Sequence, residues 1–192
     1  MAGGRFQGGG KRESTDGMDV RVVQTNRVSK THKGGKTPSW SCLVVAGNGQ
    51  GKVGAAIGKA RSVPDAIRKG EEAARKTMID IPVVQKTIPH MIIGRMGSTS
   101  VMLRPASPGT GVVAGGAVRA LLEAAGIHDV LAKTLGSRNA VNCAWATMDA
   151  FRNLMKPETR AAQRGLEATE LTPWLKKTRE QETESEVAGQ AG

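Results

Sequence analysis

A chain of 192 residues with 28 Lys and Arg against 17 Asp and Glu carries a net charge of +11. Such an excess marks a surface that meets a polyanion or, at the least, a solvated basic face. With two Phe, three Trp and no Tyr, few platforms exist on which single-stranded bases could stack, so a nucleic-acid partner is expected to be read through duplex shape and backbone.

Residues 1–19 begin "MAGGRFQGGGKRESTDGM", too polar and glycine-rich to bury a core, and predict a disordered basic arm. From Val20 to Lys30 the β-branched, partly alternating run predicts a strand. Gly34, Gly35 and Pro38 mark a turn, "WSCLVVAG" a second strand, "GNGQG" a tight turn and "KVGAAIGKA" a third strand. "SVPDAIRKGEEAARKTMID" predicts a helix with Ser62 as N-cap, Pro64 in the first turn and Asp65 near its positive end. These elements make a first domain over 20–84. "IPVVQKTIP", between Pro82 and Pro89, marks the passage to a second domain over 85–158. There "HMIIGRMG" and "STSVMLRPA" predict a pair of strands, and a helix is expected from about Ala117 to Ala125, closed by Gly126. "IHDVLAKTLGS" reads as a short strand or turn region, and "NAVNCAWATMDAFRNLM" as a helix capped by Asn139 with Pro157 beyond its end. Residues 159–192 form a charged, partly disordered tail. The pattern predicts an α+β fold of two small domains: a three-stranded sheet plus helix, then an α/β two-layer unit.

No apolar run reaches the roughly 18 residues that span a bilayer, and the N-terminus lacks the apolar centre of a signal peptide. A cytoplasmic protein is expected. Cys42 and Cys143 form no Cys-x-x-Cys pair and read as buried free thiols, with a disulfide between them as the alternative. His32, His90 and His128 are dispersed and offer no metal or nucleophile cluster, so no metal, cofactor or catalytic residue is expected.

Two glycine-rich stretches raise a nucleotide site. Gly49-Gln50-Gly51-Lys52-Val53-Gly54 matches G-x-G-x-x-G, but a strand-like run follows where the dinucleotide fingerprint needs a helix. It reads better as a hairpin turn. Pro105 to Ala114, "PASPGTGVVA", resembles the phosphate loop of the galactokinase and homoserine kinase superfamily. Val112 and Val113 stand where that loop has hydroxyls, which favours a dry strand-to-helix connection over a small-molecule kinase.

The basic stretches point to RNA. Between Val20 and Lys36 lie Arg21, Arg27, Lys30, Lys33 and Lys36 with no acidic residue, and Gly34 and Gly35 sit among them. Glycine lets a backbone approach phosphate, and the flanking cations neutralise it. Lys52, Lys59 and Arg61 are expected to cluster beside the N-terminus of the first helix, which adds partial positive charge. Arg119, Lys133 and Arg138 form a more diffuse third group.

The ordered combination of K-G-G, G-x-G-x-G, G-K-A-R-x-V-P-x-A-I and P-A-S-P-G-T-G, within residues 20–155, resembles the bacterial-type small-subunit ribosomal protein S-five family. The resemblance implies a double-stranded-RNA-binding-like first domain and a second domain sharing its topology with the kinase superfamily. It implies binding to small-subunit rRNA, contacts with ribosomal proteins S-four and S-eight, proximity to the messenger RNA entry channel and an influence on decoding accuracy. It places the Lys30–Lys36 loop on RNA near the spectinomycin site, and the segment from Gly109 through Gly111 to Arg119 towards S-four. Pro38 and Trp40 depart from the family's Phe-Ser-Phe strand, and Pro38, lacking a donor, predicts a later strand start or a shorter hairpin. Asn139-Ala140 replaces Asn-Pro, and Trp145 falls where Arg is frequent.

Overall fold

Every residue from Cys42 to Gly47 is buried, which a strand allows only where both faces of its sheet are covered. The computed structural model describes residues 11–13 and 17–166 and shows what covers them. Strands β1 (Lys11–Glu13), β2 (Asp19–His32), β3 (Gly35–Gly47), β4 (Lys52–Ala60) and β5 (Ile79–Asp80) lie side by side in that order, all antiparallel, with α1 (Val63–Lys76) between β4 and β5 in the chain. The second domain runs β6 (Ile92–Met96), β7 (Thr99–Pro105), β8 (Val112–Val113), α2 (Gly116–Ala124), β9 (Val130–Gly136), α3 (Ala140–Arg152) and α4 (Pro157–Arg164). Its sheet has the order β6-β7-β9-β8, with only the β8–β9 pair parallel.

The layers follow from strand alternation. On β3, Cys42, Val44 and Ala46 pack with Ala66 and Ala74 of α1. The intervening Leu43 and Val45 join Leu121 and Leu122 of α2 in a second cluster that continues through Val101, Leu103, Met148 and Phe151. Helices α2 and α3 are therefore held between the two sheets, and one core crosses both domains. On the α1 side, Gly58 lies so close to the helix that a Cβ there would overlap the Ala66 carbonyl and the Gly70 amide. Ser62 caps α1, its Oγ accepting from the Asp65 amide at 3.4 Å and donating to the Asp65 carboxylate at 2.5 Å.

The domains are joined at the C-terminus of α2. A helix leaves its last four carbonyls without partners. Here Ile127 N–H donates to Leu122 O (2.9 Å) and Gly126 N–H to Glu123 O (3.1 Å), the Schellman pattern, with Gly126 at φ +80°. The remaining two carbonyls are met from the other domain: Gly49 N–H donates to Ala124 O (3.0 Å) and Gly51 N–H to Ala125 O (2.9 Å). A Cβ on Gly126 would overlap the Gly49 carbonyl. The passage between domains is packed as well. Ile81 and Ile88 are buried, Val84 and Thr87 close a tight turn through Gln85 and Lys86, both at positive φ, and the Thr87 hydroxyl donates to Asp129 O at 2.5 Å.

Several sequence expectations need correction. The first sheet has five strands rather than three, because β1 and β5 add short edges. The arm over 1–19 contributes β1, paired with β2 through Lys11↔Arg21 and Glu13↔Asp19, and residues 1–10 and 14–16 lie outside the described residues. Pro38 does not shorten the hairpin. β3 starts at Gly35 and Pro38 sits opposite Ser29, beyond the last β3–β4 pair, Trp40↔Ala60, where a strand needs a neighbour on one side only. The start of the tail region lies in a helix, α4, ended by Gly165 at φ +66°, and residues 167–192 lie outside the described residues. Both cysteines are buried and free.

Gly58→Val is expected to lower stability by about 3 kcal/mol in urea unfolding, since it forces α1 off the sheet. Gly116→Ala, at a helix start with open space around it, is expected to leave stability unchanged or raise it by about 0.5 kcal/mol. Gly126→Ala combines left-handed strain with the overlap on Gly49 and is expected to cost about 2–3 kcal/mol. Amide exchange at Gly49 and Gly51 should accelerate with it.

Candidate nucleic-acid interface

Both glycine-rich stretches are occupied by the protein's own groups. The amides of Gly49 and Gly51, which a nucleotide phosphate would need, are spent on α2. Gly109 (φ +85°) and Gly111 (φ +76°) turn the chain from β7 towards β8. The Gly111 amide donates to the Asp129 carboxylate at 2.9 Å, and Asp129 is buried. Val112 and Val113 form β8, paired with Val130 and Leu131 of β9. The positions that carry hydroxyls in the kinase loop are thus ladder residues, and a buried carboxylate takes one of the loop's amides.

The β2–β3 ribbon is the open feature. Past Trp40 it leaves β4 behind, and every residue from Ser29 to Pro38 is exposed. Its register runs Arg27↔Trp40, Lys30↔Thr37, Thr31↔Lys36 and His32↔Gly35, closed by Lys33-Gly34. Cross-strand partners share a face and neighbours alternate. Arg27 and Lys36 therefore project on the α1 side with Trp40, and Lys30 projects on the other. The ribbon extends about 16 Å beyond the sheet at the usual strand rise, carrying cations on both faces and at its tip.

The remaining predicted residues separate. Lys59 pairs in register with Ser41, on the same face as Lys30, and Arg61 follows at the entry to α1; both are exposed. Lys52 does not join them. It stands at the opposite end of β4, seven residues from Lys59 and about 23 Å away at strand rise, and its ammonium lies 3.5 Å from the Asp80 carboxylate. A straight strand keeps its ends apart, which the linear spacing hid. Arg21 is drawn into the domain seam. It is ion-paired with Asp19 (2.8 Å) and with Glu123 of α2, and Glu123 also meets Arg119 at 3.0 Å. Burial alone would lower the Arg21 pKa, but hydrogen bonds to and charges of Asp19 and Glu123 outweigh it and raise it. Of the Gly109–Arg119 segment, Arg119 and Val112, the residue after Gly111, line one cleft.

A seam cleft of about 570 Å³, lined by Arg21, Arg119, Glu123, Asn48 and His128 among others, separates this loop from the first domain. No sequence signal announced it, because it is assembled from both domains. Catalytic chemistry has little material. Among the described residues no group of His, Cys, Asp and Glu could hold a metal ion. Burial pushes the Cys143 thiol up, away from the thiolate a nucleophile needs. His90 is tied locally, its Nε2 accepting from the Met155 amide at 3.2 Å. No described helix is long and apolar enough to cross a membrane.

Comparison with known proteins bears on this arrangement. Residues 18–82 match the family described as ribosomal protein S5, N-terminal domain, and residues 94–164 the family described as ribosomal protein S5, C-terminal domain. The chain is 53% identical over 151 residues to "Small ribosomal subunit protein uS5" of Syntrophobacter fumaroxidans, covering 79% of this chain and 91% of that one. It is 54% identical over 153 residues to the proteins of that name from Bifidobacterium adolescentis and Nocardia farcinica, covering 80% of this chain, 64% of the first and 70% of the second.

Proposed function

The chain belongs to the ribosomal protein S5 family, and on that premise we propose that it is a structural constituent of the small ribosomal subunit in the cytoplasm. It acts by binding, without catalysis, and needs no cofactor. The observation that carries this reading is the exposed β2–β3 ribbon, with Arg27, Lys30, Lys33 and Lys36 and no carboxylate between Val20 and Lys36.

On this reading the ribbon lies along the rRNA backbone. Lys and Arg displace counterions from phosphate, while the stiff two-stranded scaffold fixes orientation. Gly34 and Gly35 at the tip carry no side chain and have open space around them, so the main chain itself can approach a phosphate ridge. Lys59 and Arg61 extend the contact towards the N-terminus of α1, whose dipole adds to the attraction. Scarcity of aromatics fits recognition of shape and backbone over stacking on splayed bases.

The second domain supplies protein contacts. The turn from Gly109 through Gly111 and the exposed Arg119 face ribosomal protein S-four, with S-eight as a further neighbour and messenger RNA nearby. Because the ribbon and this turn belong to domains fastened together at α2, a shift at the S-four contact reaches the RNA contact. That coupling is how the protein influences decoding accuracy.

Replacing Lys30, Lys33 and Lys36 together by Ala is expected to weaken binding to small-subunit rRNA at least tenfold at low salt. The log–log salt slope should flatten by about 2–3. An unchanged slope would remove the ribbon from the interface. Lys52→Ala, at a paired position far from the ribbon, is expected to leave affinity within about twofold in the same titration.

A further inference from the structure

Helix α4, the α3–α4 connection and the end of the passage between the domains line a hollow of about 370 Å³, in the range of small-ligand sites, roughly 300–1,000 Å³. Its walls differ in chemistry. One is cationic: Arg160 and Arg164, one helical turn apart on α4 and both exposed. The other is flat and mostly apolar: Pro89, the His90 ring, Met155 and Pro157. No described carboxylate lines the hollow. Glu158 of the same helix stands about 120–160° round from both arginines. The Asp149 carboxylate is engaged elsewhere, by the Arg95 amide at 3.0 Å and the Asn153 side chain at 3.4 Å. Arg160 donates to Gln163 Oε1 at 3.3 Å, and no described carboxylate pairs with either arginine.

We propose that this hollow seats one unpaired nucleotide of the small-subunit rRNA, its phosphate between Arg160 and Arg164 and its base against His90 and Met155. Side chains four residues apart on a helix leave from Cβ atoms about 5–6 Å apart, and two guanidiniums so placed can fork onto the oxygens of one phosphate. His90 is built as a platform. Its Nε2 accepts from the Met155 amide at 3.2 Å, and its Nδ1 faces the Met91 carbonyl at 3.0 Å, so Nδ1 carries the proton and donates. Both nitrogens point outward in the ring plane. The two bonds therefore fix the ring and leave its faces for stacking. Unstacked RNA bases are held in this way, on His rings and Arg planes.

Assigning the ligand to RNA rests on the ribosomal reading above, and the hollow adds a contact on the second domain to the ribbon's on the first. A chain with two Phe, three Trp and no Tyr has no extended stacking surface, and a single seat made from His90, Pro89 and Met155 needs none. Other occupants fit less well. An RNA duplex would reach the arginines with its phosphates and leave the floor empty, since its bases are already stacked. An acidic protein segment would match the arginines and leave the platform unused.

The test uses the full chain, with Met methyl and His ring signals read by NMR. A single-stranded hexauridylate is expected to move the Met155 methyl and the His90 ring saturably, the methyl upfield under the base. Met96, at the far end of β6, should stay in place. Inorganic phosphate should not produce the upfield shift. The double variant Arg160→Gln/Arg164→Gln should lose these shifts and bind small-subunit rRNA at least threefold more weakly at low salt. Its log–log salt slope should flatten by about 1–2. An unmoved Met155 would overturn the proposal, as would equal shifts at Met96, shifts that inorganic phosphate reproduces in full, or shifts that survive the double variant. An unchanged slope in the double variant also overturns it. If the ribbon variant alone flattens the slope, the hollow is excluded and the ribosomal reading stands; if neither variant does, the rRNA reading itself fails.

Discussion

The arrangement depends on how one helix ends. The last turn of α2 has four carbonyls to satisfy. Two are met by its own Schellman turn at Gly126 and Ile127, and two by the Gly49 and Gly51 amides of the other domain. A buried carbonyl left unpaired costs about 1–3 kcal/mol, so separating the domains would expose or orphan both groups at once. The same helix lies against Leu43 and Val45 of the first sheet, so hydrogen bonding and apolar burial act on one surface. The two domains are thus joined by main-chain hydrogen bonds and by one continuous apolar core.

Double coverage of the first sheet also settles where charge can go. With α1 on one face and α2 and α3 on the other, the buried runs Cys42–Gly47 of β3 and Val53–Ala56 of β4 have no solvated side for a Lys or Arg. Cations appear where coverage ends: along the ribbon past Trp40, at Lys59 and Arg61, and at the sheet end where Lys52 meets Asp80. The exception proves the constraint. Arg21 enters the seam, and it does so between Asp19 and Glu123, because a cation leaving water needs compensating charge. The net charge of +11 is in this way sorted by packing into free and committed cations.

Much of this was legible in the sequence because the signals were local. Ser62 and Asn139 announced two helix starts, and both accept a capping hydrogen bond. Gly126 announced the end of α2, and the β-branched runs gave β2, β3 and β4. What was illegible depended on partners distant in sequence. β1, β5 and β8 have two or three residues each and exist because a longer strand offers them an edge. Clustering Lys52 with Lys59 failed because sequence proximity along a strand is distance in space. Pro38 was misjudged because the cost of a missing donor depends on whether a neighbouring strand is present there.

Glycine-rich loops mislead for a related reason. A glycine records that the chain needs positive φ or that something approaches closely; it does not record what approaches. In phosphate loops the approaching group is a ligand anion. At Gly49 and Gly51 it is the carbonyl end of a helix, and at Gly111 it is the Asp129 carboxylate. Both are acceptors with negative charge or partial negative charge, as a phosphate oxygen is, so the amides are arranged much as they would be for a nucleotide. The deciding residues are therefore the ones beside the glycines. Val112 and Val113 pair with β9 and have no hydroxyl to offer a metal or phosphate, so a loop with the outline of a kinase site is here a turn between two strands of the second sheet.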